Sequence, residues 1–265
     1  MDLLLILNTI IMGIVEGTTE FLPVSSTGHL IITADVLGFL SKEKRDVFEI
    51  IIQLGAILAV VWQYRSKLIQ VTTSLDQASS RQLVINLLIA FLPLAIIGLT
   101  FHHQIKALLF NPKSVAIALI VGGMIILWIE KKLPAVTVNQ VDDMKWKQAL
   151  KIGFAQAIAL IPGASRAAST IIGGMVFGLS RTAATEFSFF LAIPVMFAAT
   201  AYDLYKSRNL LATDDVMIFL IGFITAFIAA LFVIKVLIRY VASHDFKLFA
   251  WYRIGFGALV LFYYW

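Results

Sequence analysis

Two carboxylates, a row of hydroxyls and a histidine fall within one short stretch, Glu16-Gly17-Thr18-Thr19-Glu20-Phe21-Leu22-Pro23-Val24-Ser25-Ser26-Thr27-Gly28-His29. Glu16 and Glu20 are four apart, so a helix before the break puts both on one face. Pro23 cannot join the preceding hydrogen-bond ladder, and Ser25 or Ser26 suits the N-cap of a second, short helix. His29 then lies three residues beyond Ser26, one turn along the same face. A second polar break, Ile161-Pro162-Gly163-Ala164-Ser165-Arg166, places Ser165 and Arg166 where another short helix should begin. Each helix start offers free N–H groups and partial positive charge to an anion. Arg166 adds a planar, permanently charged fork suited to phosphate oxygens. A hydroxyl as nucleophile, with His29 or a carboxylate as its base, points to phosphoryl transfer rather than a proton relay. The oxygens of Glu16 and Glu20 also suit Mg²⁺ or Ca²⁺.

Plainer roles compete with these. Thr18, Thr19 and Ser169 can bond back to carbonyls of their own helices. Glu16 and Glu20 can form a structural ion pair with Arg166. Glu49 and Glu186 open matching apolar stretches, where interfacial solvation accounts for them. His102, His103 and His244 fall in loops, and Trp251, Tyr252, Tyr263, Tyr264 and Trp265 read as anchors at a membrane interface.

The setting is a bilayer. Of 265 residues, 60% are hydrophobic and 14% charged, and mean hydropathy is +0.91, against about 25% charged residues in soluble domains. The absence of cysteine excludes disulfides, thiolate catalysis and cysteine-ligated metals. Nothing in the net charge of +5 suggests a nucleic-acid partner. Met1-Asp2-Leu3 lacks the basic leader of a secretory signal.

Six stretches are apolar enough to span, near 47–64, 83–101, 114–130, 187–205, 216–235 and 248–265. Two further regions, near 3–38 and 148–178, are interrupted by the polar breaks and read as re-entrant helical hairpins. Broken backbone at membrane depth persists only where protein or a watery cavity satisfies it. Pairing Pro23 with Pro162 sets Ser26 opposite Ser165, and hairpin-plus-three-spans recurs. An odd number of spans inverts the second copy, so the expected fold is an all-α polytopic membrane protein. It has six transmembrane helices and two re-entrant hairpins in an inverted-topology repeat, 1–131 and 146–265 of one domain. Loops on the N-terminal side, near 39–46, 102–113 and 206–214, carry seven lysines and arginines, and those opposite carry twelve. The richer side should be cytoplasmic, with both termini outside.

Glu16-x-x-x-Glu20, Pro23-Val24-Ser25-Ser26-Thr27-Gly28-His29 and Pro162-Gly163-Ala164-Ser165-Arg166 resemble the undecaprenyl-diphosphate phosphatases, the bacitracin-resistance membrane proteins of bacteria. The resemblance covers nearly the whole chain. It implies hydrolysis of undecaprenyl diphosphate, a long-chain prenyl diphosphate, to the monophosphate carrier of cell-wall synthesis in the inner membrane. By resemblance the catalytic set is Glu20, Ser26, His29 and Arg166. Ser25, Thr27, Gly163, Ser165 and Thr170 are assigned to substrate, and Glu16 and Glu20 to a divalent cation. A homodimer is compatible with it, and the site should open to the periplasm. Ala167-Ala168 depart from the Ser-Gly usual after this arginine, which weakens any role for a serine at 167. The residues leave attack by Ser26 and direct attack by water both open. A secondary transporter or lipid flippase with a midplane anion site is the rival class. Its ion coupling does not call for a Ser/His pair facing an arginine.

Overall fold

The structure, a computed structural model, describes residues 2–109, 111–207 and 215–265, with side chains for all of these except 102–109 and 207. Among the described residues the chain is helical, with one isolated bridge between Val138 and Leu179. In order come α1 (Leu3–Thr19), α2 (Ser26–Leu37), α3 (Lys42–Gln63), α4 (Arg65–Thr73), α5 (Ala78–Leu109) and α6 (Pro112–Glu130). A connection containing a 3-10 turn leads to α7 (Trp146–Gln156), and a second 3-10 turn at Ala157–Leu160 precedes α8 (Arg166–Val176). The chain closes with α9 (Arg181–Ser207), α10 (Val216–Val241) and α11 (Lys247–Tyr263).

Among the described residues, five helices are long and apolar enough to cross a membrane: Lys42–Gln63, Ala78–Phe101, Pro112–Glu130, Arg181–Lys206 and Val216–Val241. Large apolar side chains such as Leu99 and Phe232 face outward, about 70% exposed, which in a multi-pass membrane protein is the lipid-facing surface. The sixth expected span corresponds to α11. Its 17 residues rise about 25 Å, at the short end of the range for a membrane span. The expected loop at 102–113 is instead mostly helix, because α5 continues to Leu109 and α6 begins at Pro112. The side chains of His102, His103 and Lys106, and all of Arg208, lie outside the described residues.

The two polar breaks separate short helices that fold back in pairs. With 12 and 11 residues, α2 and α8 rise about 18 and 16 Å, too little to cross. Asn8 near the start of α1 donates to the Leu37 carbonyl at the end of α2, so the open ends of that pair are neighbours. The pairs then exchange partners. The α1 helix packs on α10, and α7 packs on α5. Both approaches need glycine: a Cβ on Gly17 would stand 2.3 Å from the Ala226 carbonyl oxygen, and one on Gly153 2.7 Å from that of Ala90. Between them α3 packs on α9 and α10, and α6 packs on α11.

The correspondence of the two breaks is one residue away from the proline pairing. Ser25 (φ 74°, ψ 98°) and Ser165 (φ 73°, ψ 119°) share a conformation rare outside glycine, and each immediately precedes a short helix. Ser25 therefore matches Ser165, and Ser26 matches Arg166. The same register pairs Gly13 with Gly153 and Glu16 with Gln156. The prolines mislead because they occupy different points of their turns, whereas the serine backbone sets each helix start.

Candidate active site

The α1 helix ends at Glu20, whose N–H donates to the Glu16 carbonyl and keeps the two carboxylates one turn apart. The chain turns through Phe21–Val24, and α2 starts at Ser26. Ser25 makes no side-chain cap bond, so the first N–H groups of α2 lack both an intrahelical and a side-chain acceptor. At the other break, Ser165 caps its helix by accepting from the Ala168 N–H at 3.1 Å. Two serines at positive φ cost about 1–3 kcal/mol each. Such strain persists only where the surroundings impose it.

Both helix starts line one cavity of about 210 Å³. Its polar wall holds Glu20, Ser25, Ser26, Thr27, Gln53, Gly163, Ser165 and Arg166, and its apolar wall includes Leu94, Leu160, Val195 and Met196. Glu20 stands between the two breaks. Ser26 Oγ donates to its Oε2 at 2.5 Å, and Arg166 Nη2 donates to its Oε1 at 2.8 Å. The ion pair between the breaks thus forms, with Glu20 as the acid. It is mostly buried, at 7% side-chain exposure for Glu20 and 11% for Arg166. Arg166 is steadied by the Ser188 carbonyl at 3.3 Å and by the face of Phe21, 5.6 Å from the ring centre. Its buried Nε has no hydrogen-bond partner among the described residues.

The sequence-derived candidates divide accordingly. Glu20, Ser25, Ser26, Thr27, Gly163, Ser165 and Arg166 meet at the cavity. His29 does not face Ser26. Its Nδ1 meets the Ser25 carbonyl at 2.7 Å and its Nε2 meets the Tyr252 hydroxyl at 2.6 Å, with Phe256 stacked at 4.1 Å. Helical spacing turns the imidazole toward α11, so its nearest link to the reaction centre is through the Ser25 backbone. Thr170 is also off the cavity. Its hydroxyl bonds the Arg166 carbonyl and Ser188 Oγ, which supports the helix turn carrying Arg166. Thr18, Thr19 and Ser169 bond back to carbonyls of their own helical segments. Tyr252 is a partner of His29 rather than only an interface anchor. Glu49 is half-buried near Arg45 on α3, just after the charged Lys42–Asp46 segment that opens the helix.

Glu16 is 1% exposed, and its Oε2 has no hydrogen-bond partner among the described residues. An orphaned, buried carboxylate oxygen is the kind of atom a hard cation would satisfy. No group of three or more His, Cys, Asp or Glu residues forms a ready-made cage among the described residues. Glu20 already accepts from Ser26 and Arg166, and Glu16 does not line the cavity. An ion held here would therefore draw most of its ligands from water or substrate oxygens, as Mg²⁺ commonly does.

Two residues escaped the sequence reading. Gln53 reaches the cavity from α3, and Arg253 on α11 is fully buried behind both breaks. Each is a polar side chain inside an apolar span, where the cost of burial is itself a signal of function.

The chain matches the family model described as bacitracin resistance protein BacA over residues 9–259. It is 60% identical over 262 residues to the undecaprenyl-diphosphatase of Nitrosospira multiformis, covering 98% of this chain and 96% of that protein. It is 58% identical over 261 residues to the undecaprenyl-diphosphatase of Nitrosomonas europaea, covering 98% and 95%. Identity to the protein of that name from Methylobacillus flagellatus is 57% over 270 residues, with both chains fully covered. A match that runs through both breaks, the five long helices and α11 leaves one assignment: the chain belongs to the bacitracin resistance protein BacA family.

Proposed function

We propose that this chain hydrolyses undecaprenyl diphosphate to undecaprenyl phosphate and inorganic phosphate. The observation that carries the reading is Glu20 bridging Ser26 and Arg166 at a cavity shared by two helix N-termini. Its relatives carry the same activity in their names.

In the mechanism we infer, the terminal phosphate enters against the free N–H groups of α2 and displaces Arg166 from Glu20. Glu20 takes the Ser26 proton as Oγ attacks the terminal phosphorus. The bond to the bridging oxygen breaks, and undecaprenyl phosphate departs. Water then hydrolyses the phosphoserine, which returns the Ser26 hydroxyl and releases phosphate. Arg166 and the helix starts stabilise charge on the transferring group. Glu16, together with Glu20, would hold a divalent cation, which when bound neutralises phosphate charge. The Leu94, Leu160, Val195 and Met196 wall accepts the first apolar part of the substrate.

We place the enzyme in the bacterial inner membrane as an inverted repeat with six spans and two re-entrant pairs. The partner exchange of α1 with α10 and α7 with α5 supports that symmetry. The polar contacts also sort into two ends. Asn8–Leu37, Lys44–Asp215 and Asp35–Tyr264 join elements at the N-terminal side. Glu130–Arg181 and Lys67–Asp142 join elements at the other. The richer basic content of the loops at that other end supports a cytoplasmic placement for it, and we infer that the site serves the periplasmic face. Purified protein given undecaprenyl diphosphate should release inorganic phosphate, and no release would end this reading.

A further inference from the structure

Arg253 has no carboxylate partner among the described residues, yet its side chain is fully buried. Its guanidinium instead donates to five carbonyls. Nη1 reaches Pro23 at 3.1 Å and Ala164 at 3.0 Å, Nη2 reaches Gly163 at 3.0 Å and Ala118 at 3.2 Å, and Nε reaches Leu119 at 3.4 Å. Arginine has five N–H groups in a rigid plane, so every donor can be spent. The acceptors come from three segments: the first break, the second break and α6. An ammonium, with three donors radiating from one point, cannot span the same set.

The positions of these carbonyls matter. Pro23 lies two residues before Ser25, Ala164 immediately precedes Ser165, and both serines are held at positive φ. One cation therefore fixes the peptide planes that feed both strained turns. The preceding residue on the same helix, Tyr252, holds His29, which in turn bonds the Ser25 carbonyl. The fit is tight from the far side as well. A Cβ on Gly122 would stand 2.2 Å from Arg253 Nη2, so the guanidinium has no room to move toward α6.

We propose that Arg253 is a positioning residue that sets the spacing between the two broken segments, and with it the approach of Ser26 to Arg166. The proposal rests on the reaction given above for what that spacing accomplishes. Arg253 lines no part of the cavity, so it acts on the substrate only through the backbone it holds.

The test uses Arg253→Lys, Arg253→Met and Gly122→Ala, the last of which keeps the arginine but forces it to shift. Phosphate release from undecaprenyl diphosphate gives kcat and KM, and thermal unfolding in detergent reports the fold. The chain has no native cysteine, so spin labels at Val36→Cys on α2 and Val176→Cys on α8, both exposed, report the distance between the hairpins. In each variant we expect kcat to fall about 10²-fold, the loss typical of an ångström-scale misplacement. KM should stay within about threefold. Arg253→Lys should still show a cooperative unfolding transition, at a lowered temperature because some carbonyls lose their donor. The interspin distribution should broaden. A normal kcat in Arg253→Met, or a lowered kcat with the wild-type distance distribution in all three variants, would overturn the proposal. If the wild type releases no phosphate, the reaction is wrong, and the distance distributions still decide whether Arg253 sets the spacing.

Discussion

Ser26 donates its hydroxyl to Glu20 across 2.5 Å, and the other oxygen of the same carboxylate accepts from Arg166 at 2.8 Å. One residue at the end of α1 thereby connects Ser26, the nucleophile we propose, to Arg166, the anion clamp we propose, across the two breaks. Glu20→Gln keeps the shape but removes the proton acceptor. The expected loss in kcat is about 10²–10⁴-fold, with Ser26→Ala at least as severe. Steady-state phosphate release measures both, and a Glu20→Gln enzyme at wild-type rate would remove Glu20 as the base.

Removing Arg166 alone leaves Glu20 buried without its counter-charge. Arg166→Ala should abolish activity and also lower stability by about 3–5 kcal/mol. The double change Glu20→Gln with Arg166→Met should recover much of that stability while remaining inactive. Thermal unfolding in detergent separates the two effects. Arg166→Lys should stay severely impaired, because a point charge cannot reproduce the fork that reaches both Glu20 and the Ser188 carbonyl.

His29 bonds Ser25 and Tyr252 rather than Ser26. Its substitution should therefore act through the position of Ser25, and Tyr252→Phe should lower the rate in the same direction. The two losses should be non-additive in a double-mutant cycle. The residual activity of His29→Gln should keep the acidic limb of the wild-type pH–rate profile. Disappearance of that limb would make His29 the base.

The orphaned Oε2 of Glu16 carries the expectation for metal. A chelator should lower phosphate release, and Mg²⁺ or Ca²⁺ should restore it. Glu16→Gln should raise the cation concentration needed for half-activity by about tenfold or more. Undiminished activity in chelator would leave Arg166 as the only counter-charge at the phosphate.

Orientation can be read with single cysteines in a chain that has none. Ser41→Cys, before α3, should react with a membrane-impermeant thiol reagent in intact spheroplasts. Asn139→Cys, in the connection between α6 and α7, should not. The reverse pattern would put the site on the cytoplasmic face.

Much of this architecture is legible in the sequence, because burial of polar residues in an apolar chain is costly and therefore conspicuous. Glu16, Glu20, Ser26 and Arg166 stand out for that reason, and the two breaks announce themselves through Pro23 and Pro162-Gly163. Side-chain direction is less accessible. A three-residue spacing suggested that His29 faces Ser26, but the turn of α2 and the aromatic pair Tyr252 and Phe256 on a helix more than two hundred residues away decide where the imidazole points. The register between the breaks failed for a similar reason. Proline identity is visible in a sequence, whereas the positive φ of Ser25 and Ser165 is a backbone feature that residue type does not announce. Gln53 and Arg253 were detectable in principle, as lone polar groups within apolar spans, but only tertiary structure brings them to the breaks.

The most direct measurement is phosphate release by the purified protein from undecaprenyl diphosphate, with wild type, Glu20→Gln and Arg166→Lys compared at matched protein and lipid. Robust release by the wild type and a loss of about 10²-fold or more in both variants is the predicted result. Equal release by all three, or none by the wild type, would contradict the account.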